Sequence, residues 1–209
     1  MNDLCLIITG GEYAIIPDDI RNADYVIACD RGWQYARQMG IKPDLIIGDF
    51  DSSPRPETDI PILQFPSHKD DTDTMLAARE ALKLGFKNIA ICCAFGARLD
   101  HTMANIQTAS FLVSNGAMVR LSGKETEAYV FTQGVFSIPP MPAHSLSLFS
   151  ISDQCEGVCI QNAEYECNDI TLTNAFPLGV SNKWTSGSVN ISVKKGILMV
   201  LCSAFKDKA

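Results

Sequence analysis

Apolar residues run without interruption from Leu4 to Ile8 and stop at Gly10-Gly11. The same pattern returns in "YVIACD" (25–30), "DLIIGD" (44–49), "NIAICCAFG" (88–96) and "MVRLSG" (118–123), with a shorter run in "PILQFP" (61–66). Unbroken apolar runs of this length read as strands buried on both faces, the habit of a parallel sheet. Helical stretches lie between them. "RGWQYARQMG" stops at Gly40, Thr74 to Leu84 carries apolar Met75, Leu76, Ala78 and Leu82 at helical spacing, and a third helix spans about Asp100 to Ser114. Strand-helix-strand alternation predicts a parallel sheet with helices on both faces.

From about Lys124 the pattern changes. "EAYVFTQG", "FSIPP", "SLSLFSIS", "GVCIQNAEYECND", "ITLTNA", "GVSNKW", "SVNISVKKG" and "ILMVLCSAF" are short strand-like runs between Gly, Pro, Asn and Asp turns. The expected architecture is α/β: a doubly wound, mostly parallel sheet domain over residues 1–123, then an all-β sandwich domain over 124–209.

Composition narrows the function. A hydrophobic content of 46% is enough for a sizeable core. The formal charge of −7 argues against a nucleic-acid binder and against an anionic membrane surface. No apolar run approaches the length that spans a bilayer. The start, "MNDLCLIITGGEY", carries an acid where a signal peptide carries positive charge, so a cytoplasmic location is expected. Of eight cysteines, five lie in strand-like runs as small hydrophobes, and Cys155, Cys159 and Cys167 contain no CxxC pair. Reduced thiols are expected.

The acids have an unusual distribution. In a doubly wound sheet, ligands bind beyond the carboxyl ends of the strands. Asp30 ends one strand, Asp49 and Asp51 end the next, Asp70, Asp71 and Asp73 precede a helix, and Arg98 and Asp100 follow "NIAICCAFG". Asp71 or Thr72 also suits a helix N-cap, and so does Asp100. Asp49 and Asp51 share one side of an extended segment and repel each other. A divalent cation offsets such repulsion, and hard oxygen ligands suit Mg2+ with substrate phosphates completing its shell. There is no GxxxxGK[ST] motif. Gly10-Gly11 and Arg31-Gly32 offer backbone amides, and Lys69 and Arg98 offer positive charge. The residues alone read as Mg2+-dependent phosphoryl-type chemistry on a nucleotide.

Three stretches in this order and spacing, "CDRGWQYARQMGIKPDLIIGDFDS", "KDDTDTMLAAREAL" and "GARLDHTMANI", resemble the thiamine pyrophosphokinase family, as does the later "GVSNKWTSGSVNISV". The resemblance implies transfer of a pyrophosphoryl group from ATP to the hydroxyethyl oxygen of thiamine, releasing AMP. It implies Asp49, Asp51 and Asp73 as magnesium ligands. It places Thr72, Arg98 and Asp100 around the triphosphate and the reacting hydroxyl. Gly10, Asp30 and Gly32 match nucleotide-side turns, and Ser181 and Asn182 match the thiamine side. It further implies a homodimer whose sites are shared between chains. One position departs from the pattern. An aromatic is expected near the last strand to stack on the pyrimidine, but "ILMVLC" offers Met199; Trp184 either serves instead or covers the sandwich. His68 and His101 flank the acids and stay outside the core set. The alternatives are a haloacid-dehalogenase-like phosphatase, which wants its DxD on the first strand, and a non-catalytic thiamine or nucleotide sensor.

Overall fold

The computed structural model describes residues 3–50, 55–66 and 70–205. The chain divides into two compact units, Met1–Lys124 and Glu125–Ala209.

The first unit contains β1 (Leu4–Ile8), α1 (Asp18–Arg21), β2 (Tyr25–Cys29), α2 (Gly32–Gln38), β3 (Leu45–Gly48), β4 (Ile62–Gln64), α3 (Asp73–Lys83), β5 (Asn88–Cys92), α4 (Leu99–Ser114) and β6 (Met118–Ser122). The six strands among its described residues are all parallel, in the order β6-β5-β1-β2-β3-β4. The chain steps outward from β1 to β4, then returns to lay β5 and β6 on the other side of β1. Every residue of β1 and β3 is buried, which explains their unbroken apolar runs. In β1, Leu4, Leu6 and Ile8 pack with Ile16 and Ile20 on one side of the sheet, beside Tyr35, Ala36 and Met39 of the α2 region. Cys5 and Ile7 alternate with them and point the other way. There α3 crosses β1, β2 and β3 and also packs on α4, with Ala77, Ala78 and Ala81 fully buried. Short side chains on α3 let it lie close to the sheet. Burial among these strands pushes the Cys5 thiol up to about 12, so it stays a protonated, inert hydrophobe.

α1 has no counterpart in the sequence reading. Four residues are too few to show a helical period, and the local signs are Asp18 and Asp19 in the first turn and Arg21 in the last.

The described residues of the second unit form strands and no helix. They are β7 (Thr126–Phe131), β8 (Gly134–Ile138), β9 (His144–Ser150), β10 (Gln154–Gln161), β11 (Cys167–Thr173), β12 (Gly179–Asn182), β13 (Val189–Val193) and β14 (Leu198–Ala204). β12, β9, β14 and β7 are neighbours in that order, and β11-β10-β13-β8 form a second antiparallel sheet. Leu146, Leu148, Val200 and Cys202 from the first group share one core with Val158, Ile160, Ile191 and Val193 from the second. The sequence reading broke the chain between "GVCIQNAEYECND" and "ITLTNA"; the break comes earlier, between Gln161 and Cys167. Asn162 takes a left-handed backbone (φ 65°), and the Glu166 carboxylate accepts from its N–H at 2.7 Å. That pair makes the turn and leaves Cys167 to start β11. All eight cysteines are free thiols.

Candidate active site

Acids gather where the parallel strands end. Asp30 directly follows β2 and Asp49 directly follows β3, while Asp73 is the first residue of α3. Carboxylate oxygens of Asp30, Asp49 and Asp73 all lie within 4.8 Å of one another, and all three residues are half-buried. The fold creates this proximity. Asp30 sits in the left-handed region (φ 45°), a conformation that Asp tolerates better than most residues, and its N–H donates to Ile47 O at 3.0 Å. The end of β2 is thereby tied to β3. At α3, Thr72 is the N-cap and its hydroxyl accepts from Met75 N at 3.2 Å. Cys29 Sγ reaches Asp73 O at 3.6 Å. Two like charges at such a spacing repel by roughly 3–4 kcal/mol at an effective dielectric of 20, before solvent screening. Three hard oxygen donors in one half-buried place fit Mg2+, which takes waters and substrate phosphates in its remaining positions.

Asp51, the second acid of "GDFDS", lies outside the described residues, as do His68 and Lys69. Asp71 is taken up by Arg79, which it meets at 3.0 Å and which also stacks over Phe111. The resemblance matched Asp30 to a nucleotide-side turn, while the strand pattern put it at the same sheet edge as the other acids; the geometry groups it with Asp49 and Asp73. The available signal was that "ACD" and "IGD" end successive strands, since adjacent parallel strands put their last residues side by side.

A second charged group opens α4. Arg98 and Asp100 form a bidentate pair, Nε to Oδ1 at 3.1 Å and Nη2 to Oδ2 at 2.5 Å. Both are solvent-exposed, at 68% and 62%. The Arg98 guanidinium holds the Asp100 carboxyl below the usual carboxylate range, helped by the His101 N–H at 2.9 Å. A carboxylate held in that way is a weak base. His101 is exposed beside it.

The glycine turns divide by their surroundings. A Cβ on Gly11 would stand 2.2 Å from Cys93 O, and one on Gly32 would stand 2.0 Å from Ile8 O. Both glycines are therefore demanded by backbone packing. Gly10 is different, because its Cβ would meet only Arg31, at ordinary distances of 3.4 Å to Cβ and 3.8 Å to N. The strand ends here are fastened by Thr9, whose hydroxyl donates to Cys93 O at 2.7 Å, and by Glu12 N, which donates to Phe95 O at 3.0 Å.

In the second unit, Asn182 is buried and its side chain is engaged. Oδ1 accepts from Tyr165 N at 3.0 Å and Lys183 N at 2.9 Å, and Nδ2 donates to Tyr165 O at 2.7 Å. The amide ties β12 to the β10–β11 turn and keeps one N–H in reserve. It lines a cavity of about 310 Å3 with Tyr165, Leu178 and Val180. Ser181 adopts φ 63° and exposes its side chain. Trp184 donates Nε1–H to Ile138 O at 3.2 Å and packs on the core of this unit, so it covers that core, and Met199 is buried.

Residues 17–121, half of the chain, match the family model described as thiamin pyrophosphokinase, catalytic domain. The chain belongs to the thiamin pyrophosphokinase family. It is similar to the thiamine pyrophosphokinase of Bacillus subtilis (strain 168), with 29% identity over 207 residues that cover 94% of this chain and 97% of the relative. Among solved structures, thiamine pyrophosphokinase from Bacillus subtilis superposes with a TM-score of 0.86 at 26% identity, covering 97% of this chain and all of that one. A thiamin pyrophosphokinase family protein from Enterococcus faecalis gives 0.80 at 25% identity, covering 97% and 99%. The family match spans β2, β3, α3 and α4, so all three clustered acids and the Arg98–Asp100 pair fall inside the thiamin pyrophosphokinase catalytic domain.

Proposed function

We propose that this chain transfers the pyrophosphoryl group of ATP to the hydroxyethyl oxygen of thiamine, giving thiamine diphosphate and AMP. The convergence of Asp30, Asp49 and Asp73 at the carboxyl edge carries the reading. These three, with Asp51 from the family pattern, would hold Mg2+. When bound, the ion supplies charge neutralisation on the phosphate oxygens. The protein's own part is positioning and electrostatics, which dominate phosphoryl-type transfer. The first unit serves as a doubly wound nucleotide- and metal-binding domain. The N-terminus of α3 presents the positive end of its dipole beside the acids, favouring both the Asp73 carboxylate and a neighbouring phosphate. Gly10 and Gly32 bring backbone close to the nucleotide, and Thr72 stands at the triphosphate.

Arg98 and Asp100 act as a coupled pair. While the guanidinium stays on Asp100, the carboxylate is a poor proton acceptor. Turning Arg98 onto the triphosphate removes that hold, so Asp100 becomes a stronger base as phosphate arrives. It then accepts the proton of the thiamine hydroxyl.

Ser181 and Asn182 serve the thiamine side in the second unit. Tyr165, Phe176, Leu178 and Val180 of that unit expose 46–66% of their surface and together offer apolar surface to water. A homodimer with sites shared between chains would cover it. Free thiols throughout suit the reducing cytoplasm, where we place the protein. No helix among the described residues is long and apolar enough to cross a membrane. The deciding experiment is product analysis with ATP, thiamine and Mg2+. The expected products are AMP and thiamine diphosphate in equal amounts; stoichiometric ADP would overturn the reaction proposed.

A further inference from the structure

We infer that Gly48 is a positioning residue for the cation site: its missing side chain leaves the space that the Asp30 carboxylate occupies. The inference rests on the reading of Asp30, Asp49 and Asp73 as cation ligands. A Cβ built on Gly48 would stand 2.4 Å from Asp30 Oδ1 and 3.5 Å from Asp30 Cγ, with Phe50 Cε1 at 3.4 Å. The severe conflict is with a carboxylate and with nothing in the backbone. That separates Gly48 from Gly11 and Gly32, whose Cβ atoms would strike main-chain carbonyl oxygens.

Nothing else at this position calls for glycine. Gly48 is the last residue of β3, is buried, and is absent from the residues of positive φ. An alanine fits its backbone. Glycine inside a strand also loses more conformational freedom on folding than alanine does. On stability alone, alanine is the better residue, so the glycine is held there for another reason. That reason is the carboxylate lying over it.

The displacement has one available direction. Asp30 is fixed at its backbone, by φ 45° and by the hydrogen bond from its N–H to Ile47 O at 3.0 Å. Only its side chain can yield to a methyl group on residue 48. Yielding re-aims the carboxylate that has an oxygen within 4.8 Å of those of Asp49 and Asp73. Gly48 therefore sets the geometry of the acid group through Asp30.

The test is a double-mutant cycle on the full chain. Mg2+ is titrated calorimetrically into wild type, Gly48→Ala, Asp30→Gly, which removes the whole side chain and suits the left-handed backbone there, and the double variant, and each is melted in EDTA. Gly48→Ala is expected to lose roughly 10–100-fold in Mg2+ affinity, the range for residues that orient metal ligands. Its melting temperature in EDTA is expected to stay equal to wild type or rise slightly. The double variant should bind no more weakly than Asp30→Gly, because the methyl group has no side chain left to displace. Wild-type affinity in Gly48→Ala overturns the inference and leaves the cation site intact. Losses that add in the double variant overturn it too, since Gly48 would then act apart from Asp30. A fall of several degrees in EDTA would assign Gly48 to the fold. If wild type and Asp30→Gly bind Mg2+ alike, the cation reading of Asp30 fails, and the positioning role fails with it.

Discussion

Two charged groups stand at the carboxyl edge of the first unit, and they are held in opposite ways. Asp30, Asp49 and Asp73 are half-buried, supplied by three different elements, and fixed through a strand-to-strand hydrogen bond and a capped helix start. Arg98 and Asp100 are two residues apart, mostly exposed, and held chiefly by each other. Like charges forced together by a fold repel, and a cation between them would relieve the repulsion. Opposite charges that satisfy each other in water form a pair that can part when a better partner arrives. The first arrangement suits a role that must not change during turnover, the second a role that must.

Asp49→Asn tests the fixed group most severely. Turnover is expected to fall by at least roughly 10²–10³-fold, the scale for losing a preorganised electrostatic element. Melting in EDTA should show no loss of stability, and a small gain is expected because one of three mutually repelling charges is gone. Activity and stability must separate for the comparison to hold. A variant that loses several degrees yet keeps its turnover would make Asp49 a structural acid.

Arg98→Ala tests the mobile pair. The expected loss of turnover is smaller, roughly 10²-fold, since in the function proposed one positive charge is taken from the triphosphate while the acid group stays. Both partners are exposed, so the melting temperature should not move. The pH profile is the sharper readout. In wild type, Arg98 keeps the Asp100 carboxyl below its usual range, so Asp100 remains ionised at a pH where an ordinary carboxylate begins to take up protons. Without Arg98 the carboxyl returns toward that ordinary range and protonates at higher pH. The acid limb of kcat/KM should therefore shift upward in pH. Coincident limbs would show that Asp100 is not the titrating group.

The same contrast explains what the sequence could disclose. Strand-ending acids were legible because an unbroken apolar run that stops at Asp, in a chain of alternating strands and helices, marks the ligand edge. The separation of the two halves was legible from the change in hydrophobic period near Lys124. Asp30's partnership was not, because it depends on which strand lies beside β2 and on a left-handed residue at its end. The mutual hold of Arg98 and Asp100 also escaped, since two exposed side chains near each other in sequence need not meet. In the second unit, Asn182 read as a ligand contact from its motif. Only the fold reveals that its amide bridges to the Tyr165 backbone, 17 residues away. Trp184 shows the converse, an aromatic conspicuous in the sequence that closes a core.

Gly10 and Gly11 give the smallest effect and the finest discrimination, because the sequence presents them as one motif and the structure separates them. A side chain on Gly11 would lie 2.2 Å from Cys93 O and 3.0 Å from Phe95 O, at the point where β1 and β5 are tied together. Neither oxygen belongs to a flexible side chain, so the strand ends themselves must move. Gly11→Ala is expected to destabilise by about 1–3 kcal/mol, as overpacking against fixed atoms does. The Tyr35 hydroxyl, which donates to Gly11 O at 3.0 Å, would report the shift through its near-ultraviolet signal. Gly10→Ala faces only Arg31 Cβ and N at ordinary contact distances, and its backbone is outside the positive-φ set. Its melting temperature should match wild type. If the Gly10 backbone approaches the nucleotide, the added methyl group raises KM for ATP a few-fold and leaves KM for thiamine and kcat unchanged. Equal KM for ATP in Gly10→Ala and wild type would remove Gly10 from the nucleotide site, and the double-glycine turn would then be a packing feature that owes its identity to Gly11.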